Sequence, residues 1–188
     1  FAAVLVLVVG GAFGVHLMTS NSGVPGIDGA PDTSTPSASA SLDMAQVGAL
    51  MQKISADPKD VKSYAALASL YFTAGDYKNS AQFSQKVTAL EPKNVTGWIG
   101  LGAAQFNQGD TAGAEKSWLK AVAVDPKNAE AHYDLGFLYM SGDKPDLAKT
   151  KAEWEKVVAI DPSSELAKTV KTHLSSLASQ TPSPAASK

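Results

Sequence analysis

Between residues 58 and 162 apolar and small side chains recur at intervals of three and four, break at a turn, and resume. Trp98, Leu101 and Gly102 form one such run, Ala114, Trp118 and Ala121 the next, and Pro126 closes the pair. That spacing puts each run on one face of a helix, so the two faces can interlock as a hairpin. The same order appears earlier as Tyr64, Leu67, Ala68 and Tyr71, then Ser80, Ser84, Val87 and Pro92. It appears later as His132, Leu135, Gly136 and Tyr139, then Thr150, Trp154, Val157 and Pro162. Pro58, Pro92, Pro126 and Pro162 are spaced by 34, 34 and 36 residues, and Gly75-Asp76, Gly109-Asp110 and Gly142-Asp143 recur in phase. A fixed period of this length predicts a stack of one supersecondary unit. Ala68, Gly102 and Gly136 are small enough to let paired helices approach closely. Gly75, Gly109 and Gly142 end the first helix of each pair, where a left-handed residue is cheap only for Gly.

The pattern resembles the tetratricopeptide repeat family over about residues 58–162, with W-x-x-L-G followed by Ala, Ala and Pro clearest in the second unit. Departures are Gln105 for an aromatic, Ser80, Ser84 and Thr150 for Ala or bulky residues, and His132 for Trp or Tyr. Two extra residues around Lys144-Pro145 fall in the third inter-helix turn, with Pro145 expected to open the following helix. The resemblance implies an all-α, right-handed superhelix of three helix hairpins, at about 61–94, 95–128 and 129–164. With its flanking helices the repeat domain covers residues 42–179.

Residues 42–54 predict an amphipathic half-repeat helix with Ser41 as N-cap and Leu42, Val47, Leu50, Met51 and Ile54 as its stripe. Residues 163–179 predict a last helix with Leu166, Val170, Leu174 and Leu177 on one side. Lys168 and Lys171 stand where a fourth repeat needs its aromatic and Leu, so this helix reads as a cap. Ahead of the repeats, residues 1–18 carry no charge, and as a helix they reach about 27 Å, near the thickness of a hydrocarbon core. A cleaved signal peptide wants a shorter run and a small-x-small site. His16-Leu17-Met18-Thr19 offers none, so the expectation is an uncleaved, single-pass transmembrane anchor. The lack of an initiator Met and of a basic segment ahead of it predicts that residues precede Phe1. No Lys occurs between Thr19 and Gln52, which places the repeats outside the cytoplasm, in the periplasm or on the outer surface. Residues 19–41 read as a Gly/Pro/Ser linker and 180–188 as a disordered tail.

The net charge is −2, all 16 basic residues are Lys, and there is no Cys. No nucleic-acid footprint is present, and thiolate catalysis, disulfides and Cys-ligated zinc are excluded. His16, His132 and His173 are scattered, and no phosphate loop follows a strand. Hence no enzyme activity, no cofactor, no metal and no small-molecule substrate are expected. His132 reads as a packed core residue and His173 as solvated or paired. Glu115, Glu153 and Glu155 beside Lys116, Lys120 and Lys156 read as ordinary solvated helix. Asn94-Val95-Thr96 fits a glycosylation acceptor but falls at a helix start. Gly10-x-x-x-Gly14 fits a close helix contact in a membrane. Ala12-x-x-x-His16 has the spacing of a pigment ligand, and an interfacial His is the simpler reading.

The resemblance also locates a groove. In the family, positions 2, 5, 9, 12 and 13 of each repeat line the concave side. Here they are Lys62, Ala65, Ser69, Phe72 and Thr73, then Thr96, Ile99, Ala103, Phe106 and Asn107, then Glu130, Tyr133, Phe137, Met140 and Ser141. The Lys/Asn clamp that some members close on a C-terminal carboxylate is not reproduced; only Lys62 and Asn107 are available. Residues 98–106 and 131–140 are apolar nearly all round, which demands burial on both faces. Either neighbouring helices cover these side chains, or Phe72, Ile99, Ala103, Phe106, Tyr133, Phe137 and Met140 line an apolar groove for a partner's peptide or helix. The second alternative implies a non-catalytic, membrane-tethered scaffold or a subunit of a membrane complex. The alternative role is an assembly factor, similar to anchored repeats that present apoprotein in c-type cytochrome maturation.

Overall fold

The computed structural model describes residues 42–180, so the expected anchor, linker and most of the tail lie outside the described residues. Among the described residues there are eight helices and no strand: α1 (Met44–Ala56), α2 (Val61–Thr73), α3 (Tyr77–Leu90), α4 (Val95–Asn107), α5 (Thr111–Val124), α6 (Ala129–Met140), α7 (Leu147–Ile160) and α8 (Glu165–Gln180). The hairpins are α2/α3, α4/α5 and α6/α7. Each helix packs on the next, and the first helices also meet one another, α2 against α4 and α4 against α6. None of the described helices is long and apolar enough to cross a membrane.

The turns explain the period. Asp or Asn caps the N-terminus of α1 to α7, its side-chain oxygen accepting an amide hydrogen from the first turn of the helix. Between units the acidic-Pro pair builds a tight link: Asp57, Asp125 and Asp161 each accept the amide hydrogen two residues on, at 2.9, 3.0 and 3.0 Å. Within units, Gly75 and Gly109 lie at φ 79° and 83°. There Asp76 N–H donates to the Tyr71 carbonyl and Asp110 N–H to the Gln105 carbonyl, both at 2.9 Å, as a left-handed helix end requires. The third unit has two extra residues, yet Asp146 N–H donates to the corresponding Tyr139 carbonyl at 2.8 Å. The insertion therefore bulges outward beyond an unchanged bond. Pro145 does not open α7; it precedes the N-cap Asp146, whose carboxylate holds the Lys149 amide.

The core sits where the repeat positions predict. Leu67, Val87, Leu135, Trp154 and Val157 are at most 2% exposed. Gly102 and Gly136 lie under indoles: a Cβ at Gly102 would come within 2.5 Å of Trp118 Nε1, and one at Gly136 would collide with Trp154. Each indole N–H donates across the hairpin, Trp118 to the Ile99 carbonyl and Trp154 to the Tyr133 carbonyl, both at 3.2 Å. His132 is 2% exposed and replaces Trp98 in kind, since both rings bond the carbonyl of the preceding repeat proline.

The ends need correction. The cap of α1 is Asp43, which accepts from Ala45 and Gln46, and the helix begins two residues later than the apolar pattern suggests. With only α2 beside it, the stripe is partly covered: Val47 is buried, Leu42, Leu50 and Ile54 are half-buried, and Met51 is 46% exposed. At the other end α8 buries Ala167 and Val170 and turns Lys168 and Lys171 to solvent.

Candidate partner-binding groove

The seven predicted groove residues come from three consecutive first helices, and the structure sorts them into different surroundings. Phe106 of α4 and Phe137 of α6 meet edge to face with centroids 5.8 Å apart. Both are half-buried. Phe106 also tilts against Trp118 at 5.8 Å, and with half-buried Ala103 it packs on the cluster of Ala114, Trp118, Leu135 and Leu138. Phe72 meets Tyr77 edge on at 5.3 Å and packs on Ala81, Leu101 and Ala104. Ile99 is only 7% exposed, packed against Ala121 and Ala131, so it stiffens the wall from within. Tyr133 and Met140 pack on Trp154, Val157 and Val170 together with Leu174 and Leu177 of the cap. Neighbouring helices thus cover part of each ring, and Phe106 and Phe137 share the middle of the row.

Charge along the same row is uneven. Lys62 is exposed in the first unit, Thr96 is exposed in the second, and Glu130 is half-buried in the third. One turn after Glu130 comes Asp134, which is 2% exposed. Burial, and then the negative charge of Glu130, hold the Asp134 carboxyl well above the usual range. Burial also raises Glu130, and burial followed by the Asp134 charge raises the Tyr133 phenol.

Other acidic side chains depart from the sequence reading. Glu153 is not a solvated surface residue: it is 15% exposed and its Oε2 lies 2.6 Å from His132 Nδ1. Glu115 is half-buried and accepts the Tyr139 hydroxyl at 2.8 Å. Glu155 does stay at the surface, paired with Lys151 at 3.7 Å. His173 is half-buried; its ring stacks on Tyr133 and tilts against Trp154, with Nδ1 buried and lacking a hydrogen-bond partner. Asn94 spends its side chain on capping, accepting from Gly97 and donating to Glu91. Among the described residues no three His, Asp or Glu side chains converge in a metal-binding group.

Comparison with known proteins places the hairpins. Residues 61–94 match the profile described as tetratricopeptide repeat, and residues 106–142 match one described as TPR repeat. The second match starts mid-hairpin, pairing α5 with α6. The chain is similar in fold to the crystal structure of MamA, at 22% identity and TM-score 0.58, over 69% of this chain and 77% of that one. It is similar to the type III secretion translocator chaperone SycD of Yersinia enterocolitica, at 20% identity and TM-score 0.59, over 68% and 96%. The first TPR of Spaghetti (RPAP3) bound to the HSP90 peptide SRMEEVD matches at 20% identity and TM-score 0.52, over 73% and 97%. No curated protein matches the chain.

Proposed function

Taking as premise that this chain carries tetratricopeptide repeats, we propose that it is a non-catalytic scaffold gripping an apolar peptide or helix of a partner protein. Repeats of this kind in general mediate protein–protein interactions across an extended concave surface. The observation that carries the reading is the Phe106–Phe137 pair, two half-buried rings from the first helices of successive hairpins that meet in the middle of the row. Aromatic anchors of this sort dominate interface energies. Phe72, Ala103, Tyr133 and Met140 extend the apolar strip on either side. One structural neighbour holds an acidic HSP90 peptide. Here Glu130 and Asp134 disfavour such a ligand, which agrees with an apolar one.

Residues 1–18, free of charge and long enough as a helix to span a bilayer, support tethering to a membrane with the repeats on its non-cytoplasmic side. Carbonate extraction of native membranes tests this: an anchored chain stays in the pellet, and release into the supernatant removes the tether from the proposal. For the groove, a random displayed peptide library is panned against the chain. Phe137→Glu combined with Phe106→Ser abolishes recovery of peptides selected by the unaltered chain while helical circular dichroism persists. If the double variant unfolds, the rings belong to the core and the groove reading fails. Selected sequences matching a folded complex subunit favour a standing scaffold, whereas a preference for unfolded apocytochrome segments favours the assembly role.

A further inference from the structure

This inference rests on the groove reading above and names what the third unit recognises. Asp134 stands where the first two units have Ala66 and Gly100, each 34 residues earlier in turn. It is 2% exposed, and its Oδ1 has no hydrogen-bond partner. Among the described residues, none of the ion pairs involves Asp134 or Glu130. Buried polar groups are nearly always paired, and an unpaired buried carboxylate is costly. The described chain itself supplies no partner for this oxygen.

The geometry limits what that is. Glu130, Asp134, Phe137 and Ser141 follow one another at helical spacing on a single face of α6 and its cap. Glu130 is half-buried and Asp134, one turn on, is buried. Two carboxylates are too few for calcium, which takes about six to eight oxygen ligands. An ammonium or guanidinium group instead presents several N–H donors at one point and suits a pair of acids. Half-buried Phe137 comes next along that face, and aromatic rings also attract such cations. Charge along the equivalent positions runs from Lys62 through Thr96 to Glu130, which orients a segment with its basic end at the third unit.

We propose that the Glu130–Asp134 row seats a Lys or Arg side chain of the bound segment, beside the apolar anchors that Phe106 and Phe137 receive. Burial holds the Asp134 carboxyl well above the usual range, and a cation seated beside it lowers that value again, so seating the cation favours loss of the carboxyl proton to solvent. Binding is then accompanied by proton release.

The test uses the full chain in detergent micelles and a random displayed peptide library. Expected is a Lys or Arg at fixed spacing from aromatic or aliphatic anchors in the selected peptides. Replacing that residue by norleucine, or introducing Asp134→Asn or Glu130→Gln, weakens binding about tenfold or more. The peptide and protein changes together cost no more than either alone. Calorimetry in buffers of different ionisation enthalpy detects the released proton, which disappears in Asp134→Asn. Circular dichroism checks that each variant folds; if Asp134→Asn does not, Glu130→Gln carries the test. Peptides with apolar anchors and no basic preference, or unchanged affinity in both variants, overturn this inference and leave the groove intact. Recovery of no peptide at all removes the groove and this seat together.

Discussion

The first hairpin and the two after it fill the same contact with different side chains. In the second and third, a bare glycine lies beneath an indole, Gly102 under Trp118 and Gly136 under Trp154, and the indole N–H reaches the opposite backbone at 3.2 Å. In the first, the pair is Ala68 and Ser84, 6% and 3% exposed. The missing bulk moves one residue back to Phe83, stacked on Tyr71 at 5.4 Å and near Tyr64 at 6.4 Å. Volume is thus maintained for the pair of helices rather than residue by residue, as dense interiors demand. A repeat tolerates the loss of its large residue when a neighbour in the same hairpin supplies the ring.

Trp154→Ala tests the contrast most severely. The ring is fully buried between Gly136 and the cap residue Val170, so its loss is expected to cost about 3–5 kcal/mol in urea unfolding. Ser84→Ala at the matching place costs about 1 kcal/mol or less. Next comes Gly102→Ala, whose methyl meets the Trp118 indole at 2.5 Å and overpacks the hairpin by about 1–3 kcal/mol. In a Trp118→Ser background, which copies the first unit, the same methyl costs less than about 0.5 kcal/mol; equal costs in both backgrounds would refute the pairing.

Asp134→Asn follows, removing the acid that the first two units lack. It is expected to stabilise the fold by about 1–2 kcal/mol at neutral pH. In the unfolded chain this carboxyl ionises near 3.8, whereas the folded one holds its proton to higher pH. The folded state therefore binds more protons in that interval. The stability linked to Asp134 is complete below about 3.8 and is lost as pH rises through the folded value. The difference between wild type and Asn variant, measured by thermal melts across pH, should widen upward and vanish in acid. A small effect is expected from Ala68→Gly, about 0.5–1 kcal/mol, since no ring waits there to use the space.

The hairpins were legible because three copies voted on each position. Pro at the unit ends and Gly at the inner turns mark boundaries that no single copy would establish, and spacing marks Ala68, Gly102 and Gly136 as places of close helix approach; that indoles lie over the two glycines is seen only in the structure. Where only one copy speaks, local alternatives compete. Ser41 and Asp43 both suit a helix start, and Asp43 is the residue that accepts two amide hydrogens in the structure. Pro145 and Asp146 both suit the opening of α7, and the acid takes the capping place. The acidic residues of the second helices were misjudged for a different reason. Glu115 and Glu153 are spaced like surface residues, and only the adjoining helix reveals the Tyr139 hydroxyl and the His132 ring that they accept. The groove residues are an expectation from the family resemblance, and the burial of Ile99 by Ala121 and Ala131 depends on the next hairpin and is invisible along one helix.

The bulge at residues 142–145 is bypassed by the bond from Asp146 N–H to the Tyr139 carbonyl, so the helices on either side do not register its length. It is consequently a place to splice foreign sequence, such as an epitope or a fluorophore-bearing cysteine in a chain that has none of its own, without shifting any hairpin against its neighbour.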